Sequence, residues 1–199
     1  MTYLQLINNV LGYFGNGNDA DPTFEAYVPN IIEVAEGTVY ASLRHPTMVK
    51  SPFLKSLSQT SSPPFLIPDD MLEPASIVDS TRWLFRTSDQ FFPIDTEEGN
   101  LWTILGNEIV LNQDATDTMI FNYYAKPQSI ATDETTPMFV LYPQLFVRGS
   151  LAEAARFLRQ PDMSIAALQT EFERSLQEVR YDAWNAKLPK RAPLQVNKR

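Results

Sequence analysis

The chain has 199 residues, of which 44% are hydrophobic and 20% charged, the proportions of a globular protein with enough apolar material for a substantial core. Its 24 acids outnumber 16 Lys and Arg to give a net charge of −8, which argues against a chain that grips nucleic acid through clustered cations. It has no cysteine, so disulfides, thiolate zinc sites and cysteine nucleophiles are all excluded.

Charge is unevenly placed. Residues 185–199 hold Lys187, Lys190, Arg191, Lys198 and Arg199 and no acid, about +5, which leaves about −13 on the rest. No apolar run approaches the roughly 18 residues that span a bilayer. The opening Met1–Ile7 also has neither the positive start nor the small-residue cleavage site of a signal peptide. The expectation is a chain made in the cytoplasm and used there, or in a particle assembled there, with no membrane partner.

Residues 2–14 predict a short amphipathic helix with Leu4, Ile7, Val10 or Leu11 and Phe14 at helical spacing, Thr2 as N-cap and a turn at Gly15–Asn18. Asp21-Pro22 starts a second helix to about residue 44, with an apolar face of Phe24, Tyr27 or Val28, Ile31, Ala35, Val39 and Leu43. Pro29 either kinks that helix or displaces its start to Val28. Residues 45–64, rich in Pro and Ser and without periodicity, read as a surface excursion.

From about 65 to 127 the pattern becomes that of a small antiparallel β-unit. Ile77-Val78 and 82–86 are strand-like, Gly106-Asn107 forms a two-residue hairpin loop between 101–105 and 108–111, and 118–124 alternates. Helix returns at 142–159 and 163–184, joined by Gln160-Pro161-Asp162 as an antiparallel hairpin. Gly149, Ala152, Ala154 and Ala155 make the first of these easy to approach. Ile165, Leu168, Phe172, Leu176, Val179 and Ala183 give the second a continuous apolar stripe. The expected fold is α+β and mainly helical, with residues 1–184 as one domain. Its two N-terminal and two C-terminal helices form a four-helix bundle with a β-insertion between the pairs, and residues 185–199 are an extended basic C-terminal segment.

Four strings in this order resemble the head-to-tail adaptor (connector) family of tailed bacteriophages. They are Tyr3–Leu11 in the first helix, Phe65–Pro74 leading into the insertion, Gly106–Leu111 followed by Tyr123–Pro127, and Tyr142–Phe146 leading into Leu151–Leu158. The resemblance covers roughly residues 1–184. It implies a non-enzymatic ring, usually of twelve copies, docked beneath the portal protein at a capsid vertex. Such a ring extends the DNA channel without specific DNA binding and offers a platform to nozzle or tube proteins of the phage tail. The implied location is the head–tail interface of the virion. The family commonly sends its C-terminal segment onto the portal.

The residues themselves fit that role. Pro189 and Pro193 break helix, and the cations of the C-terminal segment are interspersed with Leu188, Leu194 and Val196. Such a segment cannot bury enough surface to fold alone, and ordering it costs roughly 1–2 kcal/mol per residue, so its docking requires an acidic and apolar groove on a partner. The candidate portal-binding residues are therefore Lys187, Leu188, Lys190, Arg191, Leu194, Val196, Lys198 and Arg199. Arg82, Trp83, Arg86 and Trp102 are candidates for contact with another subunit or a tail protein.

Catalytic readings are thin. His45 is the sole histidine, and beside a helix end it can simply meet the last carbonyls. Asn16, Asn18 and Asp21 echo a calcium loop, but its twelfth position is Tyr27 rather than Glu, and Gly15-x-Gly17 lacks the rest of a phosphate loop. Asp69, Asp70, Glu97, Glu98 and Glu108 would make a glycosidase pair only if two of them lay about 5–9 Å apart. Trp83, Phe85, Phe91, Phe92 and Trp102 read either as a stacking platform for sugar or nucleic acid, or as core and subunit contact. No cofactor, metal or catalytic residue is expected. The competing functions are a virion-borne glycan hydrolase or glycan-binding module, and a tail-completion protein that never meets the portal.

Overall fold

The structure, a computed structural model, describes residues 1–14, 22–57, 65–79, 82–86, 101–111 and 118–187. The chain divides into a helical unit, residues 1–47 with 128 onward, and a β-unit, residues 48–127.

In the helical unit, α1 spans Tyr3–Phe14 and buries Leu6 and Val10. Its start is a reciprocal cap: the Gln5 amide donates to Thr2 Oγ1 (3.2 Å) and the Thr2 amide to Gln5 Oε1 (2.9 Å). Helix α2 spans Pro22–Ser42 and continues past Pro29, so Pro22 and not Val28 opens it. A proline inside a helix costs about 3 kcal/mol. Burial of Phe24, Val28, Ile31 and Ile32 on both sides of Pro29 offsets this, and the ring itself is exposed.

The helix expected at 142–159 is present as α4, Pro143–Phe157, and an additional short helix, α3 at Pro137–Leu141, precedes it, with Tyr142 between them and each helix opening on proline. Proline fits the first helical position but disfavours helical geometry in the residue before it, which breaks the run at Tyr142. Helix α5 is Asp162–Lys187, longer at its C-terminus than the stripe alone predicts. Leu168, Phe172, Leu176, Val179 and Ala183 are buried as expected, and Ile165 is half-buried.

Helix α4 is the hub, packed by α1, α2, α3 and α5. Its small residues serve the purpose expected of them: a Cβ on Gly149 would stand 3.0 Å from the Phe172 ring. The turn from α4 to α5 closes with the Gln160 amide donating to Ala155 O (3.0 Å) while Arg159 adopts φ +50°. This is a left-handed helix end made without the usual glycine.

The β-unit consists of β1 (Val49–Lys50), β2 (Phe65–Leu66), β3 (Met71–Asp79), β4 (Arg82–Arg86), β5 (Leu101–Leu105), β6 (Glu108–Leu111) and β7 (Ile120–Ala125). Antiparallel pairing runs through β1-β7-β3-β4 and through β5-β6-β2. A short parallel pairing, Phe85↔Leu101 and Arg86↔Trp102, joins the two groups.

The hairpin at Gly106-Asn107 is present, with Leu105 opposite Glu108 and φ +60° at Gly106. Glycine at the first central position suits a type II′ turn. Strand β3 begins earlier than Ile77, and its register shifts on both sides of Pro74, which cannot donate to the ladder. The excursion over 45–64 is partly structural. Val49 pairs with Tyr124, and Met48 and Leu54 are buried. The β-unit core gathers Leu54, Phe65, Ile77, Trp102, Ile109 and Phe121 among others.

Candidate docking surface

Helix α5 leads directly into the basic segment. It carries Asn185, Ala186 and Lys187 as helix, so it runs three residues into the stretch that the sequence reading expected to be extended. Of the candidate portal-binding residues, Lys187 is the last helical one. Leu188, Lys190, Arg191, Leu194, Val196, Lys198 and Arg199 lie outside the described residues. Near its end α5 exposes two aromatic side chains, Tyr181 (66%) and Trp184 (64%), a costly display unless something covers them.

A cleft flanks each side of this end, and the two differ in charge. The first, about 270 Å³, lies between the end of α2 and the last turns of α5 and is lined by Leu43, Arg44, Arg180 and Trp184. Here the α2 carbonyls left over at the helix end are capped by guanidinium groups. Arg180 donates to Ser42 O through Nε (3.3 Å) and Nη2 (3.1 Å). Arg44 Nη1 reaches Leu43 O at 2.7 Å and the Tyr40 and Ala41 oxygens at 3.3 Å. The sequence assigned this capping to His45; a flexible guanidinium with several donors does it instead.

The second cleft, about 320 Å³, lies between the start of α4 and α5, where Leu141, Leu145 and Val179 supply apolar wall and Glu178 and Asp182 supply carboxylates. Arg148 also lines it and donates to Ser175 Oγ. Its rim is held by a chain of hydrogen bonds from His45, which is buried. The Thr47 amide donates to His45 Nδ1 (3.2 Å) and the Thr47 hydroxyl is 2.8 Å from the same nitrogen. A backbone N–H cannot accept, so Nδ1 is the acceptor and the neutral ring carries its proton on Nε2, facing Tyr142 Oη at 3.3 Å. The Tyr142 phenol, pushed up first by burial and then by the charge of Asp182, keeps its proton and donates it to Asp182.

The other sequence candidates resolve differently. Trp102 is 1% exposed: it stands edge-on to Phe121 and donates Nε1–H to Leu84 O (3.2 Å). It is core, which removes it from the set of contacts for other subunits and from any stacking platform. Arg82, Trp83, Phe85 and Arg86 contribute backbone to β4, and their side chains lie outside the described residues, as do Phe91, Phe92, Glu97 and Glu98. Asp70 is a structural clamp: it pairs with Lys50, accepts from Tyr123 Oη (3.0 Å), and its carbonyl takes the Lys126 amide (2.7 Å). Burial, then that hydrogen bond and the Asp70 charge, push Tyr123 up to about 12. Asp69 is an exposed turn residue and Glu108 half-buried in β6. Among the described residues no cluster of His, Cys, Asp or Glu could hold a metal. Asn16, Asn18 and Asp21 lie outside them.

One functional anchor escaped sequence reasoning. Glu36 is only 4% exposed and accepts from the Ser129 hydroxyl (2.9 Å) and the Ile130 amide (3.0 Å), tying the segment before α3 to α2. Tyr40, one turn on, is pushed up by burial and by the Glu36 charge. The signal was available: 28, 32, 36 and 40 form one i, i+4 row, and a carboxylate on that row must find partners.

The chain thus has α1 and α2 before the β-unit and α3, α4 and α5 after it, with a cationic stretch of sequence following the last helix. The sequence profile of the SU10 adaptor protein family matches residues 1–196, and the chain belongs to this phage head–tail adaptor family. The matched stretch runs well into the basic segment. No curated protein matches the chain significantly. Membership makes it a structural component of a bacteriophage virion, associated with other head and tail proteins.

Proposed function

We propose that this chain forms a ring, twelve copies in the virion, beneath the portal protein, extending the DNA channel and giving tail proteins their attachment platform. The helical unit, read as a four-helix bundle centred on α4, is the rigid body of each subunit, and Lys187 to Arg199 is the segment that seats on the portal. The observation that carries this reading is the family match reaching residue 196, across a segment whose five cations and interspersed Leu and Val suit an acidic, apolar groove. Repetition around a ring multiplies weak individual contacts through effective concentration. The remaining acidic charge, about −13, keeps DNA phosphates from adhering to the channel wall.

The test is deletion of residues 188–199, which leaves every described helix intact. Mixed with purified portal and followed by light scattering and electron microscopy, the full chain is expected to add a ring and the truncated chain to add none. Undiminished binding by the truncated chain refutes the assignment of the segment, and failure of the full chain to bind portal refutes the adaptor ring.

A further inference from the structure

Charge is segregated within the helical unit. Residues 1–43 hold five acids and no Lys or Arg, and residues 128–147 add Asp133 and Glu134, again with no cation. The cations of the unit are Arg44 and those from Arg148 onward.

Two exposed acids converge on the start of α1. Glu134 Oε1 accepts the Tyr3 amide (2.8 Å), and the Tyr3 phenol is pushed up first by burial and then by the charges of Glu36 and Glu33. Glu36 is buried and engaged by Ser129 and Ile130. Glu33 and Glu134 are exposed, and neither forms an ion pair among the described residues. Leu4, the next residue along α1, is 64% exposed.

The cleft of Leu43, Arg44, Arg180 and Trp184 is the complementary kind of surface. Two guanidinium groups stand there beside a large exposed ring, with no carboxylate among the described residues that line it. Arg and Trp are the residue types that most often carry the energy of a protein–protein contact. The cleft also lies across α2 from the acids. Ser42, which lines it, and Glu33 are nine residues apart, about two and a half helical turns, and so occupy opposite faces. One subunit therefore holds acid with an apolar side chain on one flank and cation with an aromatic ring on the other. It cannot bring the two together by itself.

Unlike faces that fit each other on identical molecules make head-to-tail contacts, which close into a ring when the rotation per copy allows. We propose that neighbouring copies of this chain meet through these flanks, with Glu33, Glu134 and Leu4 of one copy seated on Arg44, Arg180 and Trp184 of the next. Charge complementarity selects a second copy as the occupant of the cleft. This deepens the ring reading, on which it rests for the presence of many copies, by naming the surfaces that join them.

The chain has no cysteine, so Asn8→Cys with Asn185→Cys supplies two defined thiols, at exposed positions one turn from Leu4 and next to Trp184, and leaves the proposed contacts intact. Portal-bound protein carrying both, treated with a short bis-maleimide, is expected to give a ladder of covalently joined chains, and each single variant none. Adding Glu33→Lys and Glu134→Gln should lower the ladder yield about tenfold. Glutamine keeps an acceptor for the Tyr3 amide, so the change acts through charge. No ladder from the double-cysteine variant overturns the proposal, and so does a yield indifferent to the charge changes. A dimer from either single variant overturns it too, because like faces then meet. Electron microscopy of the untreated parent on portal separates the two readings: absence of a ring removes both, whereas a ring without a ladder removes this pairing of faces alone.

Discussion

The helical unit and the β-unit both bury large rings but hold them in different ways. The β-unit concentrates its core in a few large side chains, with Trp102 edge-on to Phe121 and Phe121 stacked on Tyr123 at 5.3 Å. The helical unit buries large rings as well, Tyr40, Phe139, Phe146 and Phe172, but seats its helices against the small residues Gly149, Ala152, Ala154 and Ala155 of α4 and then fastens its connections with buried polar groups such as Glu36 and His45. A small sheet has little area, so each residue must contribute much. A set of helices has area to spare but needs hydrogen bonds to fix which loop lies where.

The sharpest test of that contrast is Trp102→Ala, expected to lower stability by about 3–5 kcal/mol in urea unfolding followed by near-UV circular dichroism. A loss below 1 kcal/mol would mean the β-unit core is not concentrated there. Next is Glu36→Ala, which strands the Ser129 hydroxyl and Ile130 amide. A destabilisation of about 2–3 kcal/mol is expected, with faster hydrogen exchange at Ile130. Unchanged exchange would remove Glu36 from its fastening role.

Alkaline pH probes both units. Tyr123 and Tyr40 hold their protons more tightly folded than unfolded, so stability is unaffected below about pH 10. As pH rises from 10 toward 12 the unfolded chain ionises first and stability falls. Urea midpoints at pH 9 and 11 should show that fall, and Tyr123→Phe should reduce it. The smallest effect belongs to Arg159→Gly, which relieves the left-handed backbone at the end of α4. A gain of about 0.5 kcal/mol in thermal unfolding is expected once the extra freedom of glycine in the unfolded chain is counted.

Much of this was legible in the residues. The α5 stripe, the Gly106-Asn107 hairpin and the small face of α4 follow from spacing and local backbone preference, and the family strings sit in the elements they implied. What stayed hidden depended on distant partners. Val49-Lys50 shows no alternation because two residues cannot, and it is a strand only because β7 offers an edge. The run 101–105 does not say which face is inward, and Phe121 decides that Trp102 is core. The split at Tyr142 was local and readable, since Pro143 announces it. The composition of the docking segment was plain, but the clefts beside α5 are assembled from separate helices, whose apposition no local pattern records.

The buried fastenings of Glu36 and His45 have an architectural consequence. The polypeptide departs the helical unit just after His45 and comes back just before Ser129, and each crossing is secured from inside that unit, by Thr47 and Tyr142 at one and by Glu36 at the other. Because both ends of the insertion are pinned within the helical unit, replacing residues 48–127 with a stretch of another length is expected to leave the helices folded.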